Sequence, residues 1–222
     1  MNENLKPAYT FTSESVAEGH PDKLCDQISD AILDALLKED PNSRSAIETT
    51  VADGFIHVFG EARTKARIDH KRIIRETIDA IGYRADELSV DGEFYRMLIS
   101  INEQSPDIAL GVDGKNRGAG DQGMMIGYAT DETEEMLPLS LVLAHALCRR
   151  LAEARKEGEI PYLKPDGKSQ VSVGYSKDHK PVCIKAVVVS TQHQDGIDIK
   201  RLREDVLNHI ILKTIPSELL NQ

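Results

Sequence analysis

The chain has 222 residues, a formal net charge of −10 and a pI near 5.2. This acidic balance argues against binding to nucleic acid or to an anionic membrane, because the long-range field of the protein repels phosphate. Three scattered cysteines without metal-ligand spacing indicate a reducing, cytoplasmic compartment, and no run approaches the roughly 18 apolar residues of a membrane span.

The first predicted helix begins at Pro21. Proline suits the first helical position because its missing N–H would be unpaired there anyway. Apolar residues then recur on one face of the helix, at Leu24, Ile28, Ile32 and Leu36. This spacing predicts an amphipathic helix packed on a core.

Two β-rich segments follow this helix, Ser45–Ala52 and Phe55–Ala62. They flank Asp53-Gly54, a residue pair typical of a two-residue hairpin turn. The next helix is predicted from about Asp69 to Ile81 and stops at Gly82. The first half of the chain therefore contains a β-β-α unit.

The second half repeats this order in outline. After Gly82 the predicted elements are the strands Tyr95–Ile101 and Met124–Ala129, the buried helix Leu139–Ala154, the strands Lys168–Tyr175 and Val182–Thr191, and the helix Asp198–Ile211. Basic residues complement the C-terminal dipole of the buried helix, namely Arg149, Arg150, Arg155 and Lys156. Two β-β-α units predict an α+β fold of similar two-layer domains, with helices on one face of each sheet. The alternative is coincidence, since this order is common.

The start of the first helix carries residues suited to phosphate and metal. His20 lies at the helix mouth, where free N–H groups and the helix dipole favour an anion. Asp22, in the first turn, offers a hard oxygen ligand for Mg²⁺. The alternative is an ordinary helix start with a solvated acidic stripe, because Asp22, Asp26, Asp30 and Asp34 are spaced four residues apart.

Other polar residues are weaker candidates for a site. The long segment Asn102–Gly123 has a length and glycine content typical of a lid or binding loop, with Asp121 projecting toward a ligand, although a plain surface loop explains it equally well. Glu48 and Glu61, in the predicted hairpin, face solvent unless a cation pairs with them. Lys168 follows the polar turn 165–167 at a strand entrance, where its ammonium either reaches a ligand or is solvated.

Six segments together carry a family resemblance: Phe11–Asp30, Ile47–Glu61, Gln104–Ile108, Gly118–Gly123, Lys164–Gln170 and Ser190–His193. They include the motifs Gly-His-Pro-Asp-Lys, Gly-Ala-Gly-Asp-Gln-Gly and Asp-Gly-Lys-Ser-Gln, which are weak singly and specific jointly in this order. On these motifs the chain closely resembles S-adenosylmethionine synthetase, also called methionine adenosyltransferase, over nearly its whole length.

The resemblance implies a reaction between ATP and L-methionine. The methionine sulfur attacks C5′ of ATP and expels the whole triphosphate, which is then hydrolysed to phosphate and diphosphate. A thioether is already a competent neutral nucleophile, so the catalytic task is alignment and leaving-group stabilisation. Such a reaction needs no Ser-His-Asp or Cys-His arrangement.

The resemblance also implies roles for the matched residues. The catalytic residues would be His20 and Lys168, and the ATP contacts His20, Asp166, Gly167 and Lys168. Methionine would be held by Glu61, Gln104 and Asp121. Of the cations, Asp22 would bind Mg²⁺, of which the family uses two per site, and Glu48 would bind K⁺.

The domains implied by the resemblance are an N-terminal domain at 1–106, a mobile Gly-rich active-site loop at 107–123 and a middle domain at 124–222. In family members a Gly-rich ATP-binding segment with further cations and a C-terminal domain follow, and Gln222 precedes them. Two subunits share each active site in this family, which implies a homodimer or a dimer of dimers. Because the triphosphate here would meet few cations, three functions stay open: an active synthetase, a non-catalytic dimerisation or regulatory fragment, and a Mg²⁺-dependent polyphosphate hydrolase.

Overall fold

A computed structural model describes residues 7–52, 54–83, 96–103 and 123–220. Its helices and two small sheets form an α+β fold, as predicted. The chain divides into two compact units. We call Pro21–Gly127 the continuous unit, and Met1–His20 together with Tyr128–Gln222 the split unit. Across the described ranges, every helix is too short or too polar to cross a bilayer.

The helices and strands of the described residues are, in chain order, β1 (Tyr9–Val16), α1 (Pro21–Glu39), β2 (Arg44–Ala52), β3 (Phe55–Arg63), α2 (His70–Ile81), β4 (Arg96–Glu103), α3 (Leu139–Lys156), β5 (Leu163–Tyr175), β6 (Pro181–His193), α4 (Ile199–Asp205), a π-helical segment (Val206–Ile211), α5 (Leu212–Thr214) and α6 (Ser217–Leu220). Most predicted helices and strands are confirmed to within a few residues, although β1 was not predicted.

The continuous unit packs α1 and α2 on one face of a three-stranded sheet. The strand order is β2-β3-β4, with β2 antiparallel and β4 parallel to β3. The apolar face predicted for α1 is confirmed, because its buried residues are Leu24, Ile28, Ile32 and Leu36. They join Ile56 and Val58 of β3 in one core. Burial of this stripe explains why the helix lies flat on the sheet.

Helix α2 has the termini that its sequence predicts. The side chain of Asp69 accepts a hydrogen bond from the N–H of Arg72 at 3.1 Å, which caps the first turn. At the other end Gly82 adopts a left-handed conformation, with φ of 98°, and donates to the carbonyls of Ile78 and Asp79. Glycine adopts this conformation without steric cost, so the helix ends there.

The split unit is built on a sheet whose first strand comes from the other end of the chain. Its order is β1-β5-β6, and all neighbours are antiparallel. Strand β1 pairs from Tyr9, opposite Tyr175, to Val16, opposite Lys168. The sequence did not predict β1 because most of its residues are exposed or polar, as in other edge strands. The β-β-α order recurs in both units, but the third strand is parallel in one and antiparallel in the other.

Two local predictions are wrong. Strand β5 begins at Leu163 rather than Lys168, so 165–167 lie within the strand and not in a turn. A register shift between Leu163 and Gly167 accommodates them, since proline cannot donate to the ladder. The predicted strand Met124–Ala129 is irregular and largely exposed, and it pairs with no described strand. Apolar β-formers do not make a strand without a partner ladder.

The carboxylate of Glu159 joins the chain after α3 to the C-terminal helices. It accepts from Lys213 Nζ at 2.9 Å and from Arg150 Nη2 at 2.5 Å, and His209 Nδ1 lies 3.4 Å from the same oxygen. The hydrogen bonds from Lys213 and Arg150 lower the pKa of Glu159 to about 2. An unfolded glutamate titrates near 4.3, so this pairing stabilises the fold above about pH 5 and is lost as the pH falls toward 2.

We therefore expect Glu159→Gln to lower the thermal midpoint at pH 7 and to have progressively less effect between pH 5 and pH 2. Thermal unfolding followed by circular dichroism at several pH values measures this. Glu157→Gln, which removes an exposed carboxylate two residues away, is the control and should show no such convergence. A Glu159→Gln effect that is equal at pH 7 and pH 2 would contradict the assignment.

Candidate active site

The loop that carries His20 is fastened to strand β5 by two backbone hydrogen bonds. The N–H of Ala17 donates to the carbonyl of Gly167 at 2.8 Å, and the N–H of Gly19 donates to the carbonyl of Pro165 at 3.2 Å. The contact is so close that a Cβ atom on Gly19 would lie 2.4 Å from Cβ of Pro165. Two segments that are distant in sequence therefore lie side by side within the split unit.

His20 ends this loop and is itself buried, with 9% of its surface exposed. Its backbone N–H donates to the carbonyl of Ala17 at 3.1 Å. The next residue, Pro21, begins α1. The backbone of the predicted triphosphate ligand is thus held on both sides, by a turn before it and by a helix start after it.

Strand β5 brings Asp166, Gly167 and Lys168 to the same loop. The Oδ1 atom of Asp166 is buried and has no hydrogen-bond partner among the described residues. An unpaired buried carboxylate oxygen is costly, and a donor from a bound ligand would remove that cost. Lys168 is exposed and lies opposite Val16, the last residue of β1. All four predicted ATP residues therefore lie at one edge of the split unit.

Asp22, the predicted Mg²⁺ ligand, lies in the first turn of α1 in the continuous unit. Its side chain is exposed, and the same is true of Asp26, Asp30 and Asp34. An exposed carboxylate in the first turn is available to a metal, but it is equally what a solvated acidic stripe would present. The role of Asp22 stays a prediction.

Glu48 and Glu61 lie on one face of the continuous sheet. Their neighbour Ile47 is buried on the helix side, whereas Glu48 is exposed and Glu61 is half-buried. Glu48 pairs with Phe59, two residues before Glu61, so alternation along β3 directs both carboxylates away from the helices. This matches the predicted exposure of both residues and leaves their K⁺ and methionine roles as predictions.

Two predicted methionine ligands, Gln104 and Asp121, lie outside the described residues, as does most of the predicted loop 107–123. The site that the structure does describe therefore consists of the His20 loop and its neighbours on β5.

The described ranges contain no cluster of three or more His, Cys, Asp or Glu side chains arranged to hold a metal. Mg²⁺ in nucleotide enzymes is commonly bound by one or two carboxylates, with water and substrate phosphates completing its shell. A single exposed carboxylate in the first turn of a helix, such as Asp22, fits that kind of metal binding better than a cage made by the protein alone.

Sequence reasoning missed Glu18. Arg155 Nη2 donates to Glu18 Oε1 at 2.5 Å, and Lys156 Nζ donates to Glu18 Oε2 at 2.8 Å. Both basic residues end α3, where they were predicted only to complement the helix dipole. Their separation in sequence from Glu18 gives no spacing signal that would have paired them.

A cavity of about 380 Å³ lies elsewhere in the split unit, away from the predicted site residues. Its walls are mostly aromatic and come from Tyr9, Phe11, Tyr128, Thr130, Glu132, Pro138, Tyr175 and His179. Tyr9 stacks on Tyr175 with ring centroids 5.4 Å apart, and Tyr175 donates to Glu132 at 2.7 Å. None of the residues predicted to bind substrate contributes to it.

Comparison with known proteins connects both halves of the chain to one family. Residues 8–106 match the N-terminal domain of S-adenosylmethionine synthetase, and residues 116–222 match the central domain. The S-adenosylmethionine synthase of Clostridium tetani (strain Massachusetts / E88) is 50% identical over 224 residues, an alignment that covers 96% of this chain and 57% of that protein. The chain therefore spans somewhat more than half the length of this relative. With two consecutive family domains matched along nearly its whole length, the chain belongs to the S-adenosylmethionine synthetase family.

Proposed function

We propose that this chain binds ATP and L-methionine and contributes to the synthesis of S-adenosylmethionine. A lone pair of the methionine sulfur forms a bond to C5′ of ATP, while the C5′–oxygen bond breaks and its electrons leave with the triphosphate. The triphosphate is then cleaved to phosphate and diphosphate. The observation that carries this proposal is the attachment of the His20 loop to β5 beside the unpaired oxygen of Asp166.

The described geometry supports a division of roles. His20, at the mouth of α1, is positioned to contact the triphosphate near the departing oxygen, and the N–H groups of the first helical turn add an electropositive surface. Asp166, Gly167 and Lys168 contact ATP, with the buried oxygen of Asp166 accepting a donor from the nucleotide. Aligning the sulfur with C5′ supplies most of the rate enhancement, since no proton is removed from the nucleophile.

The metals complete this division. Asp22 would hold Mg²⁺, two of which are expected per site, and Glu48 would hold K⁺. Mg²⁺ neutralises charge that accumulates on the leaving triphosphate. This chemistry matters here because a chain with a net charge of −10 offers the triphosphate few cations of its own. Glu61, Gln104 and Asp121 are left to bind methionine.

We further propose that two copies of the chain associate through the outer face of the continuous sheet. This face exposes Phe55 by 40% and Leu98 by 47%, and it also carries Phe59 beside Glu48. Contiguous apolar side chains on a flat sheet face are typical of an interface. A homodimer, alone or as a dimer of dimers, would share its active sites. Light scattering measures this directly, and a strict monomer at micromolar concentration would contradict it.

Two alternatives remain distinct from synthesis. A non-catalytic dimerisation fragment would associate but form no product, and a polyphosphate hydrolase would release phosphate from triphosphate without methionine. Product analysis with ATP and methionine, and separately with triphosphate alone, distinguishes the three. We assign the protein to the cytoplasm, which is where ATP is supplied and where free cysteines stay reduced.

We expect the 222-residue chain to bind tripolyphosphate in the presence of Mg²⁺, and we expect Asp22→Asn to weaken this binding by roughly 10- to 100-fold, the scale of a lost contact around a metal. Isothermal titration calorimetry with and without Mg²⁺ measures the effect. Asp34→Asn is the matched control, since it removes the same charge from the exposed face of the same helix, well away from its first turn. Equal binding by both variants would reject Asp22 as the metal ligand, and no binding by the unmodified chain would reject the proposed triphosphate site.

A further inference from the structure

The loop that carries His20 contains an acidic residue, Glu18, although its proposed ligand is an anion. An unpaired carboxylate two residues from His20 would repel a triphosphate. The ion pairs of Glu18 with Arg155 and Lys156 cancel this charge, so the residue does not act on the ligand as a free negative charge.

The surroundings of Glu18 make these ion pairs more than ordinary surface contacts. The side chains of Glu18 and Arg155 are only 22% and 12% exposed, and the two donors occupy different oxygens of one carboxylate. Charge-assisted hydrogen bonds in such a partly buried place are stronger than those in open water. Lys156 is 46% exposed and is therefore the weaker of the two partners.

These ion pairs act on the middle of the loop. Helix α3 lies on β1 and β5, and its last turn is fixed by the core residues Leu151 and Ala154. Glu18 lies between Ala17 and Gly19, whose N–H groups bond to β5. One side-chain anchor on a helix thus holds the middle of a loop whose two flanking residues are held on a strand.

We propose that Glu18 is a positioning residue that, through Arg155 and Lys156, fixes the His20 loop on β5 in a geometry competent to bind triphosphate. The inference rests on the proposed function, because the ligand is the triphosphate of that site. Glu18 does not touch the ligand; it acts through the backbone of Ala17, Gly19 and His20.

The sign of one substitution separates positioning from simple electrostatics. Glu18→Gln removes a negative charge beside an anion site, so electrostatics alone predicts tighter binding of tripolyphosphate. Positioning predicts weaker binding, by about tenfold, because the loop loses its charged anchor. Glu157→Gln is the matched control, as it removes the same charge from the exposed end of α3 without touching the loop. Glu18→Asp keeps the charge but shortens the reach to the two cations, and it should fall between the unmodified chain and Glu18→Gln.

The experiment combines calorimetry with Mg²⁺ and tripolyphosphate and hydrogen exchange of the Ala17 and Gly19 amides on the 222-residue chain. We expect Glu18→Gln to weaken binding and to accelerate exchange of both amides, while amides in the middle of α3, such as that of Leu147, stay protected. Unchanged or tighter binding by Glu18→Gln overturns the inference. If the unmodified chain binds no triphosphate, the proposed function fails, and the exchange measurement alone then decides whether Glu18 fixes the loop: unchanged protection of Ala17 and Gly19 overturns that as well.

Discussion

Gly60→Ala is expected to lower the free energy of unfolding by about 3 kcal/mol, or to prevent the continuous unit from folding. Gly60 lies in β3 opposite Ile47, and its φ of +132° is a conformation that residues with a side chain rarely adopt. A Cβ atom there would lie 2.1 Å from the carbonyl oxygen of Ala46. Because that oxygen belongs to the backbone of β2, the clash cannot be relieved by a side-chain rotation, and the two strands must separate.

The measurement is urea-induced unfolding followed by circular dichroism, with the midpoint compared at constant slope. Gly196→Ala is the control that isolates backbone strain. Gly196 also has a positive φ, +78°, but nothing lies within 4 Å of the position of its Cβ. It should cost only about 1 kcal/mol, the strain of a left-handed residue. Equal effects of the two substitutions would show that the contact with Ala46 is not what requires glycine at position 60.

Gly60→Ala should also reach the proposed site, because the next residue is Glu61. Moving β3 away from β2 changes the position of Glu61 relative to Glu48 on the outer face of the sheet. Under the proposed function, methionine binding would be lost together with stability. A variant that unfolds earlier but binds methionine normally would argue against a ligand role for Glu61.

Gly19→Ala is expected to detach the His20 loop from β5 and to reduce triphosphate binding by about 100-fold, the cost of misplacing a binding group by roughly 1 Å. The added Cβ would lie 2.4 Å from Cβ, 2.6 Å from the carbonyl carbon and 2.7 Å from the carbonyl oxygen of Pro165. Two of these three atoms are backbone, so the loop must move rather than the strand residue.

Calorimetry with Mg²⁺ and tripolyphosphate measures this loss, and thermal unfolding reports the accompanying change in stability. Gly127→Ala is the control, since a Cβ atom there meets nothing within 4 Å. We expect the control to bind triphosphate like the unmodified chain. Normal binding by Gly19→Ala would mean that the close approach to Pro165 plays no part in forming the site.

Local chemistry explains which elements could be predicted. The α1 stripe from Leu24 to Leu36 needs only a period of 3.6 residues, and the caps of α2 at Asp69 and Gly82 need only residues within the same turn. These signals act over a few positions, so they are written in consecutive residues. The candidate site was predicted less from its spacing, which fits a solvated acidic helix start as well, than from three motifs in a fixed order.

The sequence by itself determined the α+β class, the helices and the hairpins, because each depends on hydrophobic period and turn chemistry within a short window. Only the tertiary structure decided that β1 joins the sheet of the other end of the chain, that Gly19 touches Pro165 and that Glu18 meets Arg155. The reason is physical: these contacts pair residues that lie near opposite ends of the chain. Their formation depends on the closure of long loops and on the burial that a whole sheet provides, neither of which is encoded in the spacing of neighbouring residues.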